Sequence, residues 1–156
     1  MIELLPIDEN NFEAVIKLDL HEHQRKFVAP NVHSLAECYL YRKNEDVFPY
    51  AIQDGETIVG FLLLDLDFEE KEMMIWRMMI DKQYQGKGYG RQTVQAVIER
   101  FKNDTVHTLL IADYVKGNEA MGSLLRDLGF KDDSFNDEFN EYVLHFISEQ
   151  NQNNKK

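Results

Sequence analysis

Apolar residues recur along this chain with two different periods, one typical of helices and one typical of strands. The helical period is clearest after a glycine-rich stretch, where relative positions 0, 3, 4 and 7 are apolar: Val94, Val97, Ile98 and Phe101. Similar spacing predicts a helix within 8–20 and another that begins near Asn118 and ends at Gly129. Ser34 followed three residues later by Glu37 is a capping-box signature, and it predicts a helix over 34–43.

Strands are predicted where apolar residues alternate or form short runs between turn residues. The dipeptide Asp54-Gly55 separates two such runs and is the strongest hairpin signal in the sequence, while Asn136-Asp137 separates the last two. The predicted strands cover 2–7, 49–53, 57–68, 73–80, 106–114, 130–135 and 139–146. No repeat or linker interrupts this order, so we expect one mixed α/β domain over 1–147 and a polar, disordered tail over 148–156.

The composition is acidic, because 28 Asp and Glu residues outnumber 17 Lys and Arg and give a formal net charge of −11. Nucleic-acid binders place Lys and Arg against phosphates, so no nucleic-acid partner is expected and cationic partners are favoured. No apolar stretch approaches the ~20 residues of a membrane helix, and the N-terminus lacks the order of a signal peptide, which predicts a cytoplasmic protein without a membrane partner. The single cysteine, Cys38, can form no internal disulfide and is expected to be a small buried apolar group.

Three glycines, Gly86, Gly88 and Gly90, fall between a predicted strand and a predicted helix. Such a turn leaves backbone N–H groups free near the positive end of a helix, and with Lys87 and Arg91 beside it the arrangement is typical of a phosphate site. The P-loop pattern fails, because it requires an upstream glycine and a hydroxyl after the lysine. The dinucleotide pattern G-x-G-x-x-G also fails, because Arg91 stands where its third glycine would be.

The spacing Gln85-x-x-Gly88-x-Gly90 resembles the acetyl-CoA pyrophosphate loop of the GCN5-related N-acetyltransferase (GNAT) superfamily. The segment "NEAMGSLLRDLGF" is similar to that family's second cofactor segment, in which an Asn opens a helix that ends in Gly-Phe. The segments "FVAPNVHSLAECY" and "IWRMMIDKQYQGKGYGRQ" resemble bacterial spermine/spermidine acetyltransferases of the Blt type. The resemblance covers about residues 2–147 and implies a mostly antiparallel sheet of six to seven strands, about four helices, and strands that splay at the cofactor site.

Carried over residue by residue, the resemblance implies how acetyl-CoA would bind as co-substrate. The backbone of the strand before the loop, at Met78, Met79 and Ile80, would hydrogen-bond the pantetheine arm. Asn118 would contact the pantetheine or the nucleotide portion. The backbone amides expected around the pyrophosphate are those of Gln85, Gly86, Lys87, Gly88, Tyr89, Gly90 and Arg91.

The resemblance also implies acetyl transfer to an amine, which requires a neutral amine, a stabilised oxyanion and a proton for the leaving thiolate. The family's usual general acid is a tyrosine, but Leu125 occupies that position here. Tyr114 and Tyr142 are the predicted substitutes, and the alternative is a thiolate that leaves without a dedicated acid or takes its proton from water.

Many family members place a catalytic carboxylate on the strand before the loop. Strict alternation along this strand assigns one face to Glu72, Met74, Trp76 and Met78 and the other to Met73, Ile75, Arg77 and Met79. Glu72 is the only acid among them and is the predicted base, with His21 and His23 as alternatives.

For the acceptor, Glu22 and Glu37 fall in segments that form the acceptor wall in this family. Carboxylates spaced along a groove suit a polycation, so we predict N-acetylation of a spermidine-like or spermine-like polyamine. The alternatives are another amine such as an aminoglycoside, an amino acid or a protein N-terminus, a non-catalytic acetyl-CoA-binding regulator, and a nucleotide-binding module. The family is often dimeric, which makes a homodimer a further expectation, and no metal site is predicted.

Overall fold

A seven-stranded sheet organises the chain in the computed structural model, which describes residues 1–149. Its strands are β1 (Ile2–Pro6), β2 (Val47–Asp54), β3 (Thr57–Asp67), β4 (Glu72–Ile80), β5 (Leu109–Val115), β6 (Lys131–Asn136) and β7 (Glu141–Phe146). The spatial order is β1-β2-β3-β4-β5-β7-β6, and only the β4–β5 pair is parallel within the described residues. The predicted mixed fold with a mostly antiparallel sheet is confirmed, whereas most of the predicted disordered tail lies outside the described residues.

Four α-helices accompany the sheet in the part of the chain that the structure describes. They are α1 (Phe12–Lys17), α2 (Asn31–Leu40), α3 (Tyr89–Asn103) and α4 (Glu119–Asp127), with short 3-10 helices at Glu22–Gln24 and Arg42–Asn44. The apolar run of β3 is buried on both faces of the sheet, and its side chains pack into two separate hydrophobic cores. Leu62 and Leu64 join the apolar stripe of α3 in one core, whereas Phe61 and Leu63 pack with Val15 of α1 in the other. No helix among residues 1–149 is both long and apolar enough to span a membrane.

The start of α2 differs from the prediction. Pro30 occupies the N-cap position and the helix begins at Asn31, since the fixed φ of proline suits the entry to a helix. Ser34 therefore lies inside the helix, where it is buried and its hydroxyl accepts a hydrogen bond from Arg77 Nη1 at 3.1 Å. The capping-box spacing in this segment marks a contact with β4 rather than the first turn of a helix.

A β-bulge interrupts the alternation of β4. Leu63 of β3 pairs with Arg77 and Leu64 pairs with Ile75, which leaves Trp76 as an extra residue. After the bulge, Met78 and Ile80 pack on the same core as Met73 and Ile75, while Met79 packs on the opposite core. The strict alternation expected from the sequence was therefore wrong beyond Trp76, because one inserted residue moves every later side chain to the other face.

The strands β4 and β5 separate beyond the bulge. Their pairing runs from Glu72 opposite Leu109 to Ile75 opposite Ala112 and then stops. The remainder of β4 stays paired with β3, and the remainder of β5 stays paired with β7. A wedge consequently opens between the two strands, and the predicted splay is present in the sheet.

Candidate functional site

The glycine-rich loop joins the end of β4 to the start of α3. Gly86 and Gly88 have positive φ angles of 77° and 87°, and Gly88 is the N-cap residue of α3. Only glycine adopts these conformations without strain, and a Cβ at either position would meet no atom within 4 Å. The first N–H groups of a helix have no partner inside it, so this end of α3 presents donors and a positive dipole to open space.

A cavity of about 270 Å³, which we call the loop cavity, lies between this loop, the end of β4 and the start of α4. Most of the residues predicted from the sequence to bind the cofactor line it, namely Met78, Met79, Ile80, Gln85, Gly86, Gly88, Tyr89, Gly90 and Asn118. Lys87 and Arg91 do not: the Lys87 ammonium lies 5.7 Å from the centre of the Tyr84 ring, and Arg91 donates a 3.1 Å hydrogen bond to Asp127. Asn118 is the N-cap residue of α4, as predicted.

Gln85 connects the loop to the segment that precedes α2. Its side-chain amide exchanges two hydrogen bonds of 2.9 Å with the amide of Gln24, and its Nε2 also donates to the carbonyl of Ile80 at 2.9 Å. A second link joins Asp19 to the start of the loop, since Lys82 N–H donates to the Asp19 carbonyl and Asp81 Oδ2 accepts from Asp19 N–H, each at 2.9 Å. The loop and the segment 19–24 are thereby held together.

A larger cavity of about 780 Å³, which we call the wedge cavity, lies over the gap between β4 and β5. Its walls come from the segment before α2, from α2 itself, from the middle of β4, from the end of β5, and from the starts of α4 and β7. It shares lining residues with the loop cavity, namely Phe27, Val28, Met78, Asn118 and Met121. The two cavities are therefore neighbouring parts of one cleft that follows the wedge in the sheet.

Several charged groups of the wedge cavity already have partners. Glu37 accepts hydrogen bonds from Arg77 and, at 2.9 Å, from His33 Nε2 when that nitrogen carries a proton. Arg25 donates to Asp19 at 2.8 Å, and this ion pair and Lys82 lower the pKa of the Asp19 carboxyl to about 2. Glu37, predicted as a substrate-binding residue, thus lines the cavity, but the charge of Arg77 neutralises the charge of its carboxylate.

Asp113 of β5 and Glu141 of β7 form a different kind of group. Both line the wedge cavity, and Asp113 Oδ1 is buried without a hydrogen-bond donor among the described residues. Burial raises the pKa of Asp113 to about 7, with a further contribution from the neighbouring Glu141 carboxyl. Burial also raises the pKa of Glu141, while Asp113 and Arg77 act in the opposite direction. Two carboxyls without a full cationic partner therefore face the cavity.

The sequence-predicted base lies elsewhere. Glu72 is the first residue of β4, where it pairs with Asp67 and Leu109, and it lines neither cavity. It stands at the opposite end of the strand from Ile80, a separation of ~25 Å at 3.3 Å per residue. Glu22, predicted to bind substrate, is an exposed residue of the first 3-10 helix and also lines neither cavity. The structure gives no support to these two assignments, because neither side chain lines the cleft.

The two tyrosines proposed as acids face each other across β5 and β7. Their ring centroids are 5.3 Å apart, and alternation places both on the sheet face opposite Asp113. Tyr114 lines the wedge cavity, but it is only 4% exposed and its hydroxyl accepts a 2.7 Å hydrogen bond from Arg126 Nη2. Tyr142 lines neither cavity, and Leu125 is fully buried in the core beside α3.

The sequence analysis missed Asp113, although a signal for it was present. Apart from Tyr114, whose ring is largely apolar, the strand "LLIADYV" has Asp113 as its one polar residue, and a lone acid in a buried strand requires an explanation. Glu141 carried no comparable signal, since it follows a polar turn and is placed beside Asp113 only by the pairing of β5 with β7. Among residues 1–149, no group of three or more His, Cys, Asp or Glu side chains could hold a metal ion.

Comparison with known proteins gives a family match and several structural relatives. The profile of the acetyltransferase (GNAT) family matches residues 12–130. The spermine/spermidine N(1)-acetyltransferase of Bacillus subtilis (strain 168) is 25% identical over 107 residues, which cover 63% of this chain and 66% of that protein. The match therefore spans just under two thirds of that relative's length.

Two solved structures share the fold at low sequence identity. Spermidine N-acetyltransferase from Vibrio cholerae, in complex with CoA and spermine, aligns with a TM-score of 0.77 over 97% of this chain and 98% of that chain, at 11% identity. An aminoglycoside acetyltransferase in complex with coenzyme A aligns with a TM-score of 0.78 over 100% of both chains, at 16% identity. At these identities the likeness concerns the fold alone.

Proposed function

This chain belongs to the acetyltransferase (GNAT) family, and on that premise we propose that it transfers the acetyl group of acetyl-CoA to a primary amine of a polyamine. The observation that carries the proposal is the continuity of the two cavities at the wedge. One cavity offers backbone donors suited to a pyrophosphate, and the other offers carboxyls suited to an ammonium group. The acetyl thioester and the amine would meet where these cavities join.

The loop cavity has the features that acetyl-CoA requires. The N-terminus of α3 and the two positive-φ glycines, Gly86 and Gly88, would hold the pyrophosphate through backbone N–H groups. Beyond the bulge, the edge of β4 at Met78, Met79 and Ile80 has lost β5 as a partner, so its backbone groups on that side would bond the amides of the pantetheine arm. Asn118 stands where both cavities meet and would contact the same arm.

The wedge cavity favours a cationic acceptor. Glu37 and Arg25 are each matched by an opposite charge, whereas Asp113 and Glu141 together have only partial compensation from Arg77. An ammonium group would supply the missing positive charge and hydrogen-bond donors. A polyamine would place one nitrogen at this pair while its remaining ammonium groups extend toward the acidic surface of a chain with net charge −11.

The test is a steady-state assay of CoA release with acetyl-CoA and a panel of amines. We expect spermidine and spermine to give a higher kcat/KM than an aminoglycoside, a free amino acid or a peptide with a free N-terminus. A preference for the aminoglycoside or the peptide would replace the polyamine with that acceptor. Calorimetry that shows tight acetyl-CoA binding, together with no acetyl transfer to any amine, would instead favour a non-catalytic regulator, a role compatible with Leu125 in place of the usual tyrosine.

A further inference from the structure

Asp113 stands at the fork of the sheet, which is the point where β4 and β5 separate and the wedge begins. Ile75 and Ala112 are the last paired residues of β4 and β5, so Asp113 is the first residue of β5 beyond the pairing. It lines the wedge cavity together with Met78 and Asn118, which also line the loop cavity. Its carboxyl thus faces the region where the proposed function places the thioester and the amine.

Glu141 approaches Asp113 from the next strand. The pairing of β5 with β7 places Asp113 opposite Val143 and Glu141 opposite Val115, so the two acids are diagonal neighbours on one face. When both carboxyls are ionised they repel each other, and Asp113 Oδ1 has no donor among the described residues. A single proton on Asp113 converts this repulsion into a hydrogen bond to Glu141.

The cations around the pair are mostly engaged elsewhere. Arg77 of β4 stabilises the ionised form of Glu141, but its Nη1 already donates to Glu37 of α2 and to Ser34. In the segment before α2, Arg25 is bonded to Asp19.

Two further groups complete the electrostatic surroundings. The ammonium of Lys26, in the same segment as Arg25, lies 5.4 Å from the centre of the Phe27 ring. On β7, His145 lies on the same face as Glu141 and approaches Asp133 of β6 at 3.5 Å. Neither arrangement places a cation between Asp113 and Glu141, so the pair remains open to a cation from outside.

We propose that Asp113 and Glu141 form a proton-sharing carboxyl pair that binds the acceptor ammonium and takes its proton before acetyl transfer. The inference rests on the proposed function for the identity of the reaction. The raised pKa of Asp113, about 7, suits this role, because a base with a pKa near the working pH accepts a proton efficiently and releases it again.

The proton balance of the reaction is complete with this pair. The ammonium gives one proton to the Asp113–Glu141 pair, and the neutral nitrogen attacks the thioester carbonyl carbon. The C–N bond forms, the C–S bond breaks, and the second nitrogen proton goes to the leaving sulfur directly or through water. The pair then releases its proton to solvent, so the net products are the N-acetylated amine, CoA thiol and one proton.

The kinetic test compares pH profiles of kcat/KM for acetyl-CoA and spermidine. We expect the wild type to show an ascending limb with an apparent pKa of about 7. Asp113→Asn should lower kcat/KM by ~10²-fold or more and abolish this limb, because an amide accepts no proton. Glu141→Gln removes the like charge, so it should retain a limb but move its midpoint to lower pH.

The matched control is Asp65→Asn. Burial also raises the pKa of Asp65, but this residue of β3 lines neither cavity, so its variant should keep the wild-type profile. A second readout that is independent of turnover is the ¹³C titration of the side-chain carboxyls in labelled protein. The Asp113 signal, assigned by its loss in Asp113→Asn, should titrate near pH 7, at lower pH in Glu141→Gln, and at lower pH when spermidine is bound.

These readouts separate the two proposals. If the wild type acetylates amines while Asp113→Asn keeps its full kcat/KM and pH profile, the carboxyl pair is overturned and the function stands. If no amine is acetylated, the proposed function fails, and the Asp113 titration still decides whether the pair exists. An Asp113 carboxyl that titrates in the ordinary range of aspartate and is unaffected by Glu141→Gln would overturn the pair on its own.

Discussion

At the scale of single residues, Gly88 combines a conformational requirement with a proposed binding role. Its φ of 87° lies in the left-handed region, and the space beside it at the start of α3 is open. A side chain there would strain the loop by ~1–2 kcal/mol and occupy the space proposed for the pyrophosphate. We expect Gly88→Leu to raise the KM for acetyl-CoA by ~10-fold or more.

The matched control for this prediction is Gly55→Leu. Gly55 also has a positive φ, 59°, and open space around it, but it lies in the β2–β3 turn and lines neither cavity. Steady-state kinetics should show that the control keeps the wild-type KM. Equal KM values for acetyl-CoA in both variants would mean that the glycine-rich loop does not hold the cofactor.

Asp113 and Glu72 illustrate which residues of the site can be predicted from sequence. The loop residues are contiguous, so the spacing of Gln85, Gly88 and Gly90 identifies them without a structure. The acids must be selected by their distance from the wedge, and that distance depends on strand pairing. Glu72 belongs to the expected strand but to its far end, whereas Asp113 is brought to the fork by the parallel pairing of β4 with β5.

At the scale of elements, most strands and helices follow from periodicity and turn chemistry, while irregularities do not. The hairpin at Asp54-Gly55, the helix after the glycines and the stop at Gly129 all appear as predicted. The bulge at Trp76 does not, because "EMMIWRMMI" is apolar on both faces and carries no mark of an extra residue. Since the bulge precedes the separation of β4 from β5, the least predictable feature of the sheet is also the one that shapes the cleft.

The contact between Gln24 and Gln85 allows a test of how elements are coupled. Gln24 belongs to the 3-10 helix that leads toward Phe27 and Val28, which line both cavities, and its amide is bonded to the loop. Loss of this amide pair should loosen the walls of both cavities at once. We expect Gln24→Ala to raise the KM for acetyl-CoA and for the amine by ~3-fold to 10-fold, with a smaller change in kcat.

Gln83→Ala is the appropriate comparison, because Gln83 is an exposed glutamine of the same loop whose side chain makes no hydrogen bond to the described residues. Its KM values should equal those of the wild type. A Gln24→Ala enzyme in which only the acetyl-CoA KM rises would show that the segment 19–24 supports the cofactor alone and does not couple the two cavities.

At the scale of the whole molecule, the acidic composition and the local site carry different information. The net charge of −11 favours cationic partners, but it does not indicate where on the protein they bind, since the acids are spread along the chain. Glu37 and Asp19 already form ion pairs with Arg77 and Arg25, so they are weaker candidates for binding a cationic substrate. The remaining candidates are the two carboxyls at the fork, Asp113 and Glu141. The global charge would therefore affect the approach of a polyamine, whereas two half-buried carboxyls would fix where it binds.

The half-buried carboxyl of Asp113 should also affect how the stability of the entire fold depends on pH. The pKa of Asp113 rises from 3.8 to about 7 on folding, so the folded protein holds this proton more tightly than the unfolded chain. Its contribution to the free energy of unfolding is fully present below pH ~4 and is lost as the pH rises through about 7. Asp113→Asn removes this loss, so the variant should gain stability relative to wild type between pH 5 and pH 8.

Urea denaturation at pH 5 and pH 8 measures this difference directly. Glu69→Gln is the control, because it removes one negative charge from an exposed turn and should change stability nearly equally at both pH values. Parallel pH dependence for wild type and Asp113→Asn would mean that Asp113 ionises as readily in the folded protein as in the unfolded chain. If the free energy of unfolding of Asp113→Asn exceeds that of wild type by more at pH 8 than at pH 5, the ionised Asp113 carboxyl destabilises the folded protein. A bound cation would offset this cost, as expected of a carboxyl that binds an ammonium group.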